Sequence, residues 1–354
     1  MTRKPKSLRR LKELPLVSIC TPTFNRRPFI PSLITMVDSQ DYPKDRIEWI
    51  VLDDGTDCVK DLLDGLPGVR YIRSEERMSI GKKRNILNRQ AKGSIIVNMD
   101  DDDFYPSTRI THAVEMLIAH PSALCAGSGE MYSFMTSSQE VFKIGPFGKK
   151  QATPATFAFR RKLLDQTEFS DEAEVAEGEK FLKGYTIPFV QLEPKKTIIA
   201  ISHPQQSYIS EDNIRNGGVK SDFSLKALVK ENHHVAFYSE SLSQLLEDYP
   251  EGTLEHKPSL TEQVAILSKK MQENAAAAAE KDSQAMRDAK TNVSITLGDG
   301  KQHTLTNGEV EFLLRKQTKE LAELREEIKN LQDRLKDAED LDDNEPGISL
   351  EIDE

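Results

Sequence analysis

The chain is short of cysteine, of aromatic residues and of long apolar runs, and each shortage excludes something. Its three cysteines (Cys20, Cys58 and Cys125) are far apart and form no CxxC, in a chain of 354 residues. That excludes a disulfide framework and a cysteine-built zinc site, and fits reduced thiols. No apolar run approaches the roughly 20 residues that cross a bilayer. The first residues, MTRKPKSLRRLKELP, are basic but lack the apolar stretch of a signal peptide. A soluble, cytoplasmic protein without a membrane span is expected.

Charge is present in both signs but unevenly placed. The net charge is −10, from 58 acidic and 48 basic residues, and nine of the acids fall in the last 18 residues without a single base. The remaining 49 acids and 48 bases leave the body almost neutral. The acidity therefore belongs to a tail. Residues 1–14 read as a solvated basic lead-in, and no nucleic-acid partner is expected.

Between about 15 and 125, short apolar runs alternate with helical patterns. LVSICTPT, IEWIVLDDG, VRYIRS and SIIVNMD read as strands; residues 28–38, 58–64 and GKKRNILNRQA read as helices. This alternation predicts a mostly parallel sheet in an α/β fold. Ligands of such sheets gather beyond the carboxyl ends of the strands. The polar groups there are Thr21 to Arg26, Asp53 and Asp54, and the run Asp100 to Asp103. From 122 to 205 the pattern is less regular and strand-rich, with EVAEGEKFLKGY as one helical piece.

Residues 221–292 are helix-prone and polar, and 293–306 read as a hairpin turning at Gly298-Asp299-Gly300. Leu314, Leu321, Leu324, Ile328, Leu331 and Leu335 fall at heptad a and d positions, interrupted by Gln317. Residues 307–337 are thus a short coiled-coil candidate, offering homo-oligomerisation, with a single amphipathic helix as the alternative. Residues 338–354 form an acidic tail expected to be disordered.

Four successive aspartates repel one another, so a positive group is expected among them. Strand alternation would set Asp100 and Asp102 on one side and Asp101 and Asp103 on the other. Such a pair suits Mg²⁺ or Mn²⁺ bridging to substrate phosphate oxygens. Singly, each motif has a plainer reading: an acidic turn at 100–103, a tight turn at Asp53-Asp54-Gly55, a solvated helix at Lys83 and Arg84.

Together, VSICTPTFNR, IVLDDGTD, GKKRNILNRQAKGSIIVNMDDDDFYPSTRI and ATFAFRRKLL resemble the donor-binding half of GT-A fold glycosyltransferases of family 2, over about residues 15–210. The resemblance implies a Rossmann-like GT-A domain at 15–220, followed by the helical C-terminal region. It implies metal-dependent, inverting transfer of a sugar from a nucleoside-diphosphate sugar to a hydroxyl of a glycan or protein acceptor. By the same resemblance, Thr21, Pro22, Thr23, Asn25 and Arg26 lie against the nucleotide, Asp53 or Asp54 meets the base, and Arg84 reaches base or phosphate. The family's Asp-x-Asp motif falls on Asp100 and Asp102, with Asp101 between them, and Asp103 is an equal metal ligand if the register shifts by one. His203 is implied as a ligand to metal or diphosphate. The general base is implied at Glu179 or Glu177, of which the spacing to Leu182 favours Glu179; the usual Glu-Asp is replaced by Glu-Gly-Glu.

Other readings fit less well. A nucleotidyltransferase would carry a glycine-rich loop after the first strand, which TPTFNRRPF lacks. A non-catalytic scaffold acting through the coiled coil would have little use for an intact aspartate run. Ser207 and SEDNIRNGG read as a loop closing over the donor, His233-His234 as surface, and Phe157, Phe159 and Trp49 as core.

Overall fold

A computed structural model describes residues 14–206 and 211–247, together with the strands Ser294–Thr296 and Gln302–Thr304. The chain divides into two compact units, residues 1–270 and 271–354. In the second unit the two strands pair antiparallel, Ser294 opposite Thr304. The coiled-coil candidate, the acidic tail and Ser207 lie outside the described residues.

The first unit is built on a seven-stranded sheet. Strands β1 (Val17–Thr23), β2 (Ile47–Asp53), β3 (Val69–Arg73) and β4 (Ile95–Asn98) run parallel in the order β3-β2-β1-β4. Three short strands extend it: β5 (Cys125–Gly127), β8 (Ala158–Arg160) and β9 (Phe189–Gln191), in the order β8-β5-β9 beyond β4. β8 is antiparallel to both its neighbours.

Both faces of the sheet are covered at β1 and β4, every residue of which is buried, and β4 accordingly carries an apolar run rather than alternating with polar residues. Val17, Ile19, Trp49, Val51, Ile95 and Val97 share one core with helices α1 (Ile30–Ser39) and α4 (Arg109–Ala119). Cys20, Ile50, Leu52 and Ile96 belong to the other, with Leu87 of α3 (Ile80–Gln90), Phe157 and Phe159. A short helix, α2 (Lys60–Leu63), follows β2.

Register sets the working edge. Thr23 pairs with Asp53, Asp53 with Arg73, and Cys20 with Asn98. The residues that leave the four parallel strands therefore emerge side by side. Helix α3 starts beside them, its first turn capped by Ser79, whose Oγ accepts the Lys82 amide at 3.1 Å. Gly81 permits this approach, because a Cβ there would run into the carbonyl of Ser170.

A second sheet, in the order β10-β6-β7-β11, joins β6 (Met131–Met135), β7 (Glu140–Ile144), β10 (Ile199–Ser202) and β11 (Gly218–Lys220). Phe104 and Ile199 bridge the aspartate run to β10, with N···O distances of 3.0 and 2.9 Å.

Three local expectations are corrected. EVAEGEKFLKGY is helical only over α5 (Gly178–Phe181), since Ala176 before it and Lys183, Gly184 and Tyr185 after it take positive φ values of 53°, 51°, 62° and 64°. The described part of SEDNIRNGG is helix α6 (Glu211–Gly217) running into β11, not an open loop. His234 is buried rather than at the surface: its Nδ1 lies 2.9 Å from Ser32 Oγ of α1, and burial with the neighbouring His233 lowers its pKa to about 4.

Candidate functional site

β4 ends at Asn98, whose side-chain amide donates to the carbonyl of Pro154 at 2.9 Å. Beyond it Met99 still bonds back to Cys20, and the aspartates then follow a bend rather than a strand. A trace of alternation survives: Asp101 and Asp103 are buried, while Asp100 and Asp102 keep some exposure.

Each carboxylate has different surroundings. Asp100 receives two bonds of 3.0 Å from Arg84, one to each oxygen. Asp101 Oδ1 lies 3.9 Å from Arg26 Nε. Asp102 Oδ2 lies 3.4 Å from Arg26 Nε and 3.2 Å from His203 Nε2. Asp103 turns inward, its Oδ1 accepting the Ile201 amide at 3.0 Å, so it ties the run to β10.

These surroundings split the acidities. Burial and the adjacent Asp102 charge raise Asp101 to about 7, against the pull of Arg26. Burial also pushes Asp103 well up, reinforced by Asp102 and Asp100. Asp102 goes the other way: burial alone would raise it, but the bond from His203 and the Arg26 charge hold it at about 2. Burial lowers His203, in spite of Asp102. With all four carboxylates ionised, the run would hold more negative charge than Arg26 and Arg84 neutralise.

Arg84 carries the run to a second set of residues. It is buried, and its Nε donates to Glu177 Oε1 at 2.9 Å. Asp100 and Glu177 keep its guanidinium protonated although burial opposes that. Glu177 is itself buried at the start of α5, whereas Glu179, two residues on, is exposed. Gly178 between them packs on Pro154, the residue that also anchors Asn98.

The residues after β1 and β2 serve mostly to shape the edge. Thr21 Oγ donates to the Met99 carbonyl at 2.8 Å and accepts from Trp49 at 2.9 Å, so it fixes β4 from below. Pro22 and Thr23 are buried in β1. Asn25 has a positive φ of 52°, and its Oδ1 accepts the Asp57 amide at 3.0 Å. The Asp53 carboxylate accepts from the amides of Gly55 and Val59 and from Tyr71, at 2.7 to 3.0 Å. Asp54 binds Lys83 Nζ at 2.8 Å and the Met78 amide at 2.7 Å. Both aspartates are thus engaged within the chain. Arg26 differs: one nitrogen is held by the Gln205 carbonyl at 2.6 Å while the guanidinium borders Asp101 and Asp102.

A divalent cation would find two side-chain ligands here. Asp102 and His203 meet, and the other ring nitrogen of His203 is buried without a hydrogen-bond partner. Among the described residues no three metal-binding side chains converge. A carboxylate and an imidazole fit a Mg²⁺ or Mn²⁺ ion that takes its remaining oxygens from phosphate and water.

Sequence reasoning missed Tyr105, Gln205 and Tyr238. The Tyr105 hydroxyl accepts the Asp100 amide at 2.7 Å, and Tyr238 donates to the Asp103 carbonyl at 3.2 Å. Tyr105 is adjacent to the run and was findable there. Tyr238 lies 135 residues from its partner, and no local pattern announces it.

Among the described residues, no helix is long and apolar enough to cross a membrane. Residues 18–168 match the model of the family described as Glycosyl transferase family 2. A poly(ribitol-phosphate) β-N-acetylglucosaminyltransferase, TarS, of Staphylococcus aureus is 28% identical over 115 residues, which are 30% of this chain and 19% of that one. A putative teichuronic acid biosynthesis glycosyltransferase, TuaG, of Bacillus subtilis is 29% identical over 126 residues, 34% of this chain and 48% of that one. The chain therefore spans between a fifth and a half of the length of these relatives. Among solved structures, S. aureus TarS 1–349 in complex with UDP-GlcNAc is 19% identical with a TM-score of 0.46, covering 83% of this chain and 97% of that one. The mannosyltransferase PcManGT from Pyrobaculum calidifontis, in complex with GDP-Man and Mn²⁺, is 18% identical with a TM-score of 0.45, covering 78% and 81%. The stretch that matches the glycosyl transferase family 2 model thus holds the four parallel strands β1 to β4 and the aspartate run.

Proposed function

We propose that this chain transfers a sugar from a nucleoside-diphosphate sugar to an acceptor hydroxyl, with inversion and with a divalent metal. The observation that carries the reading is the meeting of Arg26, Asp102 and His203 at the edge where Arg84 links Asp100 to Glu177. This edge offers both charges that the reaction needs, cationic groups for a diphosphate and carboxylates for a metal and a proton.

Asp102 and His203 would hold Mn²⁺ or Mg²⁺, with Asp100 and Asp101 adjacent. The metal would supply positive charge to the departing diphosphate. Arg26 is placed to add charge to the same oxygens, and a guanidinium suits a phosphate better than an ammonium does. Asn25, Asp53 and Asp54 shape the loop that would receive the nucleobase. Arg84 fixes Asp100 and Glu177 relative to each other.

The acceptor hydroxyl must lose its proton as its oxygen attacks the anomeric carbon. Glu179 is our candidate for the base, because its exposed carboxylate is open to an acceptor. Glu177, held by Arg84, orients the start of α5. General bases contribute about 10²- to 10⁴-fold. Two relatives are named for poly(ribitol-phosphate) and for teichuronic acid biosynthesis, and a hydroxyl-rich glycan is the acceptor class proposed here. The test is release of nucleoside diphosphate from a panel of sugar nucleotides with Mn²⁺, in wild type and in Asp102→Ala.

A further inference from the structure

The helices α7 (Leu225–Leu228), α8 (Asn232–Ala236) and α9 (Leu242–Glu247) lie beyond the family-matching residues, yet they pack into the same core. A π-helical turn, Phe237–Ser241, joins α8 to α9; such turns are often found at functional sites. Leu225, Val229, His234, Tyr238, Leu242 and Leu246 are all buried.

This strap lies against the residues that bracket the aspartate run. Phe237 meets Phe29 edge-on at 6.5 Å, and Phe29 in turn packs on the His203 ring at 4.6 Å. His234 and Tyr238 meet Phe104, which directly follows Asp103, at 5.4 and 6.5 Å. Two polar ties accompany these ring contacts. Tyr238 donates to the Asp103 carbonyl at 3.2 Å. The Gln205 side chain donates to the Leu246 carbonyl at 3.4 Å, while the Gln205 carbonyl receives Arg26 at 2.6 Å.

We propose that the strap is a working part of the donor site, and that Tyr238 and Gln205 are positioning residues that hold Asp102 and Arg26 in place for a metal-bound nucleoside diphosphate. The proposal rests on the donor-site reading given above. The turn from Asp100 to Asp103 has no regular secondary structure of its own, so its shape depends on outside anchors. Ile201 holds the Asp103 side chain and Tyr238 its carbonyl. Arg26 is anchored through Gln205, and Gln205 through α9. Releasing either anchor lets Asp102, Arg26 and His203 separate without removing any of them.

The test is calorimetric binding of UDP and, separately, GDP in the presence of Mn²⁺, with the full chain. Tyr238→Phe keeps the ring and removes the hydroxyl that donates to the Asp103 carbonyl; Gln205→Leu releases the α9 tie. Val229→Ala is the control, since it loosens the strap's packing without touching either anchor. One net hydrogen bond corresponds to about a fivefold effect. The expected result is a Kd for the better-bound nucleotide weaker by about that factor in Tyr238→Phe and Gln205→Leu, and unchanged in Val229→Ala despite a lower Tm. Equal Kd values in wild type, Tyr238→Phe and Gln205→Leu would overturn the strap's role while leaving the donor site standing. The same loss in Val229→Ala would also overturn it, by showing that general loosening suffices. If wild type binds neither nucleotide with Mn²⁺, the donor-site reading fails and the strap proposal falls with it.

Discussion

Arg84 grips Asp100 through two parallel hydrogen bonds of 3.0 Å, with both side chains at the carboxyl edge of the sheet. A planar guanidinium makes that fork and an ammonium does not. Because Arg84 Nε also reaches Glu177 at 2.9 Å, one side chain sets the distance between the aspartate run and the start of α5.

Replacing Arg84 with methionine should leave Asp100 and Glu177 without their cation in a largely buried place. Breaking such a pair costs about 3 kcal/mol. Urea denaturation should show that loss, and turnover should fall with it. Arg84→Lys should recover part of the stability but little of the turnover, since it restores charge without the fork.

Glu179 and Glu177 should behave differently. Glu179→Gln should lower kcat by about 10²- to 10⁴-fold with Tm unchanged, because the side chain is exposed and the role proposed for it is purely chemical. Glu177→Gln should lower Tm as well, because its charge balances Arg84. Full turnover in Glu179→Gln, with loss only in Glu177→Gln, would transfer the base to Glu177.

The raised pKa of Asp101 has a stability consequence with a definite sign. Its folded pKa of about 7 exceeds the unfolded value. The folded state therefore binds the proton more tightly, and the group's penalty is absent at pH below about 4, grows as pH rises, and is complete above 7. Asp101→Asn, in chelator, should raise the urea midpoint at pH 8 and leave it unchanged at pH 3.5. An equal rise at both values would show that the carboxyl's ionisation is not the cause.

Gly81→Ala should destabilise the protein even though alanine is the better helix former. A Cβ at this position meets the Ser170 backbone, which cannot yield as a flexible side chain would. Thermal unfolding should show a loss of about 1–3 kcal/mol, as overpacking usually costs; a rise in Tm would contradict the close approach of α3 to residues 170–173.

The parallel strands and α3 were legible because apolar runs such as WIVL and IIV have few other uses, and because each is followed by a polar turn. The aspartates were legible as a site, but their individual roles were not. Those roles depend on Ile201, His203 and Arg26, which meet the run only after the second sheet has formed. Asp53 looked like a ligand in sequence, and its carboxylate accepts three bonds from its own loop and Tyr71. The helix at 174–185 was overextended because helix propensity does not register the left-handed residues on either side of α5. His234 was misplaced for a similar reason: nothing beside it in sequence predicts Ser32 as its partner.

The central claim is that Asp102 and His203 serve a metal-bound sugar nucleotide. Its most direct measurement is nucleoside-diphosphate release across a panel of UDP- and GDP-sugars, with Mn²⁺ and then with excess chelator, in wild type and Asp102→Ala. The account predicts release from at least one donor by wild type with Mn²⁺, and loss of that release both in chelator and in Asp102→Ala. Release that persists undiminished in chelator and in Asp102→Ala would contradict it.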